Sequence, residues 1–420
     1  VASVTEPRSG ARSEPRPGGV AGRIVELVAE LDAELVRIRR DLHAHPELAR
    51  TEERSTRVVA ERLTAAGLAP RLAPGTGLVV DIGEVAVGER RVGLRADLDA
   101  LPVPDTCGHP FASTVKGVAH ACGHDVHTTV VLGAGLVLAR LADEGLLPGG
   151  VRLIFQPAEE VHPGGSLDLM ATGALDGVGP LFAVHCEPRL DVGQVGTRIG
   201  AITSASDAVH VRLTGPGGHT SRPHVTADLV FALGEVITSV PAILGRRLDP
   251  RWGVNLTWGA VHAGSASNAI PASGALEGTL RCLDVRAWER AAQEFEQAVR
   301  AVAEPFGVHV EVKAQRGVPP VVNDAGCTGL LEQAASEVVG PSAVVLTEQS
   351  LGGEDFAWYL TKVPGAMARL GTRRPGGRTY DLHQGDLDVD ERAIGYGAAL
   401  LARTAVLAAG AVGAGAVSDR

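Results

Sequence analysis

Aromatic side chains are scarce in this 420-residue chain: seven Phe, four Trp and three Tyr, 3% of the total. Hydrophobic residues still make up 45%, so a sizeable core has to be built from Ala, Val and Leu. Cysteine is also scarce. The five (Cys107, Cys122, Cys186, Cys282, Cys327) are odd in number and scattered, and no C-x-x-C occurs. That argues against a disulfide framework and a structural zinc site, and it predicts a reducing, cytoplasmic compartment. An excess of positive charge is missing: 39 Lys and Arg stand against 49 Asp and Glu, a formal net charge of −10. The acidic balance argues against nucleic acid or an anionic membrane as the main partner.

The first twenty residues have no apolar segment. They are rich in Pro, Gly, Arg and Ser, which predicts a disordered tail over 1–22 rather than a secretory signal. The apolar stretch 393–417 has no uninterrupted run, because Arg403 sits near its middle and five glycines break it. A packed terminal helix is expected there, ending in a flexible tail over 411–420, and not a membrane span.

What the chain does have is concentrated in Val118–Thr128, VAHACGHDVHT. One Cys and three His fall within eleven residues, and thiolate and imidazole are the donors that borderline-soft ions such as zinc prefer. Further on comes IFQPAEE, with adjacent carboxylates at Glu159 and Glu160. Soft ligands followed by paired carboxylates point to a metal-dependent hydrolase.

Ile24, Leu27, Val28, Leu31, Leu35 and Ile38 recur at helical spacing, which predicts an amphipathic helix over 23–41. A second helix is expected near 52–66 and a third over 125–142, with strands near 77–82, 90–97, 150–157 and 180–187. Strands alternating with helices indicate an α/β domain with a mainly parallel sheet. Asp97, Glu159, Glu160 and His185 fall at or just beyond the C-terminal ends of those strands, where open α/β sheets form their sites. The pattern then becomes β-α-β-β-α-β: strand 208–214, helix 225–240, strands 254–262 and 275–282, helix 286–304, strand 308–314. That is the order of a ferredoxin-like α+β unit. Helices and strands then resume at 328–339, 343–346, 354–360, 366–370 and 390–408. The expected architecture is an α/β domain built from 23–203 and 316–410, with a ferredoxin-like domain inserted over 204–315.

Each candidate has a plainer alternative. Taken singly, Cys122 and His124 also read as a buried thiol beside a helix-capping His, or as a cysteine nucleophile and its base; their clustering shifts the balance towards a metal. The cysteine readings leave the Glu pair, His185 and His383 unexplained. Glu159 and Glu160 would also suit a helix N-terminus. Adjacent residues point different ways, however, so one carboxylate can bind a metal while its neighbour faces a reacting water. His185 lies in an apolar strand, as satisfied core histidines do, and His383 sits in a polar loop. The segment GPGGH at 215–219 lacks the Lys and Ser/Thr of a phosphate loop and reads as a turn presenting His219.

Taken in order, the segments LHAHPEL, RADLDALP, HACGHDVHT, FQPAEE, GPGGHTSRPH, NAIPASGALEGTLR, GGEDFAWYL and a late Leu-His closely resemble the M20 family of metallopeptidases and amidohydrolases. The aminoacylase, hippurate hydrolase and auxin-conjugate hydrolase subgroup is the nearest, and the resemblance runs from Arg23 to about Ala408. It implies two divalent metal ions per subunit, held by Cys122, His124, Glu160, His185 and His383. Zinc comes first, and manganese, cobalt and nickel also tolerate this set. It implies Glu159 as general base and Asp97 as a residue orienting a ligand imidazole or steadying charge near the metals. The inserted unit would be a lid and dimerisation domain, with His219 reaching the partner subunit's active site in a homodimer. Asn268 and Arg281 would hold the free carboxylate of an N-acyl-L-amino acid, a role that suits a guanidinium fork; Arg281 also reads as an ordinary strand arginine. The activity implied is amide hydrolysis to a carboxylic acid and an amino acid, with a metallo-dipeptidase or carboxypeptidase as the alternative. Two local departures, Gly353 before Glu354-Asp355-Phe356 and HQGDLDVDE after the late His, touch none of these residues.

Overall fold

A computed structural model describes residues 18–413; of the tails expected over 1–22 and 411–420, residues 1–17 and 414–420 lie outside the described residues. Its larger sheet has eight strands, in the order Arg71–Leu72, Leu78–Ile82, Val151–Gln156, Arg91–Asp97, Val178–Asp191, Gly365–Arg373, Val195–Thr197 and Val344–Leu346. The four central strands, from Val151–Gln156 to Gly365–Arg373, run parallel. Antiparallel pairs lie to either side of them. Parallel neighbours require a crossover, which the helix His124–Asp143 supplies between Arg91–Asp97 and Val151–Gln156.

The central strands are buried on both faces, and their residues alternate between two cores. Leu153, Phe155, Phe182, Val184, Ala368 and Leu370 join the cluster beneath the long helices Gly19–Ala44, His124–Asp143, Ala325–Val338 and Arg392–Gly413. Ile154, Leu181, Ala183 and Met367 join the cluster on the opposite face, with Leu169, Phe356 and Tyr359. This is the period-2 geometry of a strand whose two sides are both covered. The shortage of rings is met by close approach of small residues: a Cβ at Gly133 would lie 2.8 Å from Leu35 and 3.1 Å from Ala398.

Three helices are long and apolar enough to cross a membrane by length and composition. In His124–Asp143 and in Arg392–Ala411, 89% and 72% of the apolar window is buried inside the protein. In Leu229–Arg247 the share is 33%, and Val230 and Phe231 are exposed.

The second sheet has four strands, ordered Asn255–Ala263, Ser273–Cys282, Ala205–Thr214 and His309–Val318, and is antiparallel throughout. The helices Leu229–Arg247 and Val285–Ala303 cover it around a core of its own, including Val209, Val211, Leu233, Val236, Phe295 and Val299. Numbered along the chain, the strand order is 2-3-1-4, the ferredoxin-like arrangement.

Several element limits differ from expectation. The first helix begins at Gly19, four residues into the expected tail, and the last continues to Gly413. The helix expected over 225–240 runs instead from Leu229 to Arg247. Its start is set by Asp228, whose side chain accepts the Phe231 N–H. It also continues through Pro241, which normally ends a helix. Val236, Val240 and Leu244 are all buried, so the apolar stripe across the proline outweighs the lost hydrogen bond.

Candidate active site

The C-terminal ends of the central strands present the chemistry. Arg91–Asp97 ends on Asp97, and Val178–Asp191 carries His185. Cys122 and His124 flank Gly123, which caps the helix His124–Asp143 at φ 89°. A Cβ at Gly123 would sit 2.7 Å from the Cys186 sulfur, so glycine is required there both for its backbone angle and for space. Glu159 and Glu160 follow the strand Val151–Gln156, after Ala158 at φ 55°, and His383 adopts φ 62°. Left-handed non-glycine residues cost energy and concentrate at functional sites. Here one precedes the paired carboxylates and the other is itself a candidate ligand. Hydrogen bonds hold both: Ala158 N–H donates to Glu52 Oε1 at 2.8 Å, and His383 N–H donates to Ala121 C=O at 2.8 Å.

These residues meet. Cys122 Sγ lies 3.5 Å from His185 Nε2. Glu160 Oε1 lies 3.3 Å from His383 Nε2 and 3.7 Å from His124 Nε2. Glu159 Oε2 is 3.9 Å from His124 Nε2. The donor atoms of Cys122, Glu160 and His383 fall within 4.8 Å of one another, as do those of His124, Glu159 and Glu160, so Glu160 belongs to both groups. His185 Nδ1 donates to the Cys186 carbonyl and His124 Nδ1 to the Asp99 carbonyl, each at 2.8 Å. Both Nε2 atoms therefore keep their lone pairs for the cluster. His124 Nε2 and Glu160 Oε1 are buried with no hydrogen-bond partner among the described residues. Buried polar atoms are almost always satisfied, and an orphaned one costs about 1–3 kcal/mol. A soft donor set with orphaned lone pairs on converging atoms fits a divalent cation.

Burial, with Glu354, Glu160 and Asp355 close by, pushes the Glu159 carboxyl well above the usual carboxylate range. Burial likewise raises Asp355, to about 7. The Glu160 carboxylate, 3.3 Å away, raises His383, and burial with the neighbouring Arg369 lowers His185. Burial raises the Cys122 thiol; a coordinated cation would reverse that, because it deprotonates a thiol that binds it.

Of the two roles expected for Asp97, orienting a ligand imidazole is the one the geometry does not match. Asp97 Oδ1 accepts from His127 Nδ1 at 2.7 Å, and Oδ2 accepts from Arg95 at 2.7 Å. Its distance to His124 Nδ1 is 3.9 Å. The imidazole that Asp97 holds is thus His127, whose Nε2 accepts the Cys186 N–H at 2.8 Å and is not turned to the cluster. His124 is oriented by Asp99 instead. The Asp99 carboxylate also accepts the backbone N–H groups of Glu159 and Glu160, at 3.0 and 2.9 Å.

His219 and Asn268 are not brought to this cluster within one chain. Both are exposed. They lie side by side where Gly218–His219 pairs with Ala269–Ile270, and His219 Nδ1 accepts the Ser221 N–H at 3.1 Å. Arg281 does reach the site. It is half-buried, donates to the Leu351 carbonyl, and lines a cavity of about 300 Å³ together with Cys122, Glu159, Glu160, His185 and His383.

Sequence reasoning missed Asp99, the Arg95 network and Arg369. Arg95, 1% exposed, joins Asp97, Gln156, Glu354 and Asp355. The available signal was a charge placed inside an apolar strand, as in VGLRAD and AMARLG.

The chain is similar to known proteins over most of its length. The chain is 51% identical over 370 residues to a putative glutamate–cysteine ligase 2-3 of Rhodococcus jostii (strain RHA1), covering 88% of this chain and 46% of that protein, so it spans about half the length of that relative. It is 36% identical over 368 residues to the N-acetyl-L-cysteine deacetylase of Bacillus subtilis (strain 168), covering 87% of this chain and 86% of that one. Among solved structures, a dinuclear metal binding peptidase of the M20 family from Bacillus subtilis superposes with a TM-score of 0.79 at 30% identity, covering 90% of this chain and 99% of that chain. Residues 93–406 match the profile of Peptidase family M20/M25/M40, and the chain belongs to that family.

Proposed function

We propose that the protein hydrolyses the amide bond of N-acyl-L-amino acids, releasing a carboxylic acid and an amino acid. The observation that carries this reading is the placement of Glu159. Its carboxylate borders the converging donors of His124 and Glu160, inside a cavity that Arg281 also lines. The deacetylase named above supports the substrate class by its name alone.

Cys122, His124, Glu160, His185 and His383 would hold two divalent ions, zinc first among the candidates. The chemistry such ions supply is polarisation of an amide carbonyl and acidification of a water. Glu159 takes the proton of the attacking water and returns it to the leaving amine. A carboxyl whose hold on a proton is strengthened by burial suits both taking that proton and returning it. Arg281 pairs with the free carboxylate of the substrate. Residues 204–315 act as the lid, and in a homodimer His219 and Asn268 serve the active site of the second copy. The separate core of that unit, and the position of both residues away from their own cavity, support this reading. Five unpaired cysteines favour a cytoplasmic setting.

The test is metal analysis of the purified protein with a panel of N-acetyl, N-benzoyl and dipeptide substrates. Turnover of the N-acyl amino acids with bound metal is the expected result. Turnover of dipeptides alone would replace this reading with the dipeptidase one.

A further inference from the structure

Arg369 is a buried cation that no side chain among the described residues pairs with. It sits on the central strand Gly365–Arg373, with His185 as its Cα partner on the next strand. Its exposure is 5%, and the surface it does show lines the same cavity as Cys122, Glu159, Glu160, His185 and Arg281. Among the described residues it makes no hydrogen bond and no ion pair. The acids around it are engaged elsewhere. Glu187 is held by Arg189 at 2.8 and 2.9 Å, and Glu354 lies 3.2 Å from Arg95 and accepts the Phe356 N–H at 2.9 Å. Burial lowers the Arg369 pKa, but a guanidinium starts too high to lose its charge near neutrality. Glu187 and Glu354 favour the charge from a distance, but a desolvated guanidinium without a hydrogen-bonded partner is costly to keep, and the cavity is where such a partner can enter.

Arg281 already supplies one guanidinium to this cavity, from the second sheet. Arg369 supplies another, from the first. One α-carboxylate engages one of them. We infer that Arg369 receives a second carboxylate of the substrate, so that the preferred substrates are dianionic N-acyl amino acids. The second carboxylate comes either from an acidic amino-acid side chain or from a dicarboxylic acyl group. This rests on the amidohydrolase reading and deepens it. A guanidinium fork matches a carboxylate with two parallel hydrogen bonds. A site built for such a group discriminates strongly against an analogue that lacks it, because the buried partner is then left unpaired.

The experiment compares acid and amide isosteres on the metal-loaded full chain. One pair is N-acetylglutamate against N-acetylglutamine. The other is N-succinyl-alanine against N-succinamoyl-alanine, and the pair that discriminates identifies the source of the carboxylate. In the wild type, kcat/KM should favour the acid by about 100-fold or more in one pair, mostly through KM. Arg369→Met should cut that ratio by at least tenfold, and Arg369→Lys should retain part of it. Equal kcat/KM for acid and amide in both wild-type pairs overturns the inference. So does an Arg369→Met loss that is the same for acid and amide, which would place Arg369 at the reacting centre instead. If Arg369→Met does not fold, the wild-type ratios and Arg369→Lys decide.

Thermal melting separates this inference from the hydrolase reading. Glutarate should raise the melting temperature of the wild type more than butyrate does, and Arg369→Lys should respond less than the wild type. That result with no hydrolysis of any substrate would sink the amidohydrolase reading and leave the carboxylate site standing. Equal shifts with the two acids would sink the site.

Discussion

The carboxylate of Asp99 receives the backbone N–H of Glu160 at 2.9 Å, while the Asp99 carbonyl orients the His124 ring at 2.8 Å. One buried residue thus sets the approach of two candidate ligands on different elements, and its other oxygen fixes Glu159. Asp99→Asn replaces one acceptor by a donor that faces an N–H group. Losing a partner that positions a ligand typically costs about 10–100-fold in metal affinity or activity. Metal titration and kcat should both register a loss of that order, with the circular dichroism spectrum retained. An unchanged metal affinity would remove Asp99 from this role.

Glu159→Gln keeps the size of the side chain and removes the base. Proton transfer by a positioned group is worth about 100–10,000-fold, so kcat should fall by that order while metal content stays at the wild-type level. Mixing this variant with His219→Ala should restore activity in heterodimers, because one of the two sites then has both residues intact. No recovery above the separate variants would count against a site shared between copies.

Chelation should remove activity and lower the melting temperature together. Glu159, Glu354 and Asp355 bring their oxygens within 4.8 Å of one another, and Glu160 adds a further carboxylate close by. A ligand that binds only the folded state stabilises it by about 2.7 kcal/mol at 100 times its dissociation constant. Stripping the metal should therefore lower the melting point, and adding zinc should restore it. A melting point indifferent to both would contradict the ligand set.

A second buried cluster sets a pH dependence of stability. Burial disfavours charge on His43, yet Asp125 at 2.8 Å and Asp105 at 3.3 Å outweigh it and raise the imidazole from 6.5 to about 10. A pKa raised by folding contributes stability that is complete below about pH 6.5 and is lost as pH rises through 10. Breaking a buried pair costs roughly 3 kcal/mol, a few degrees for a chain of this size. His43→Gln should therefore melt a few degrees below the wild type at pH 6, with the gap closing towards pH 10. A gap independent of pH would show that the His43 charge is not what is lost.

Local signals were strong where one segment carried the whole pattern. Cys122 and His124 stand two residues apart beside a glycine, and the strands carry the apolar runs Leu153–Phe155 and Leu181–Val184. His185 and His383 stood out by position, one at a strand end and one in a polar loop, but only the family resemblance made them metal ligands. The helix expected to end at 240 runs on through Pro241 to Arg247, because the buried stripe that overrides a proline is a tertiary signal and not a local one.

Read alone, the chain determined its α/β class, the ferredoxin-like insertion and the metal-type donors, since periodicity and residue chemistry are properties of short segments. Only the folded molecule decided that Asp97 holds His127 rather than His124, that Asp99 cradles the glutamate pair, and that Arg369 has no hydrogen-bonded partner among the described residues. Each of those depends on which distant segments share a strand end. Hydrogen-bond distance and desolvation come into being only when the sheet assembles.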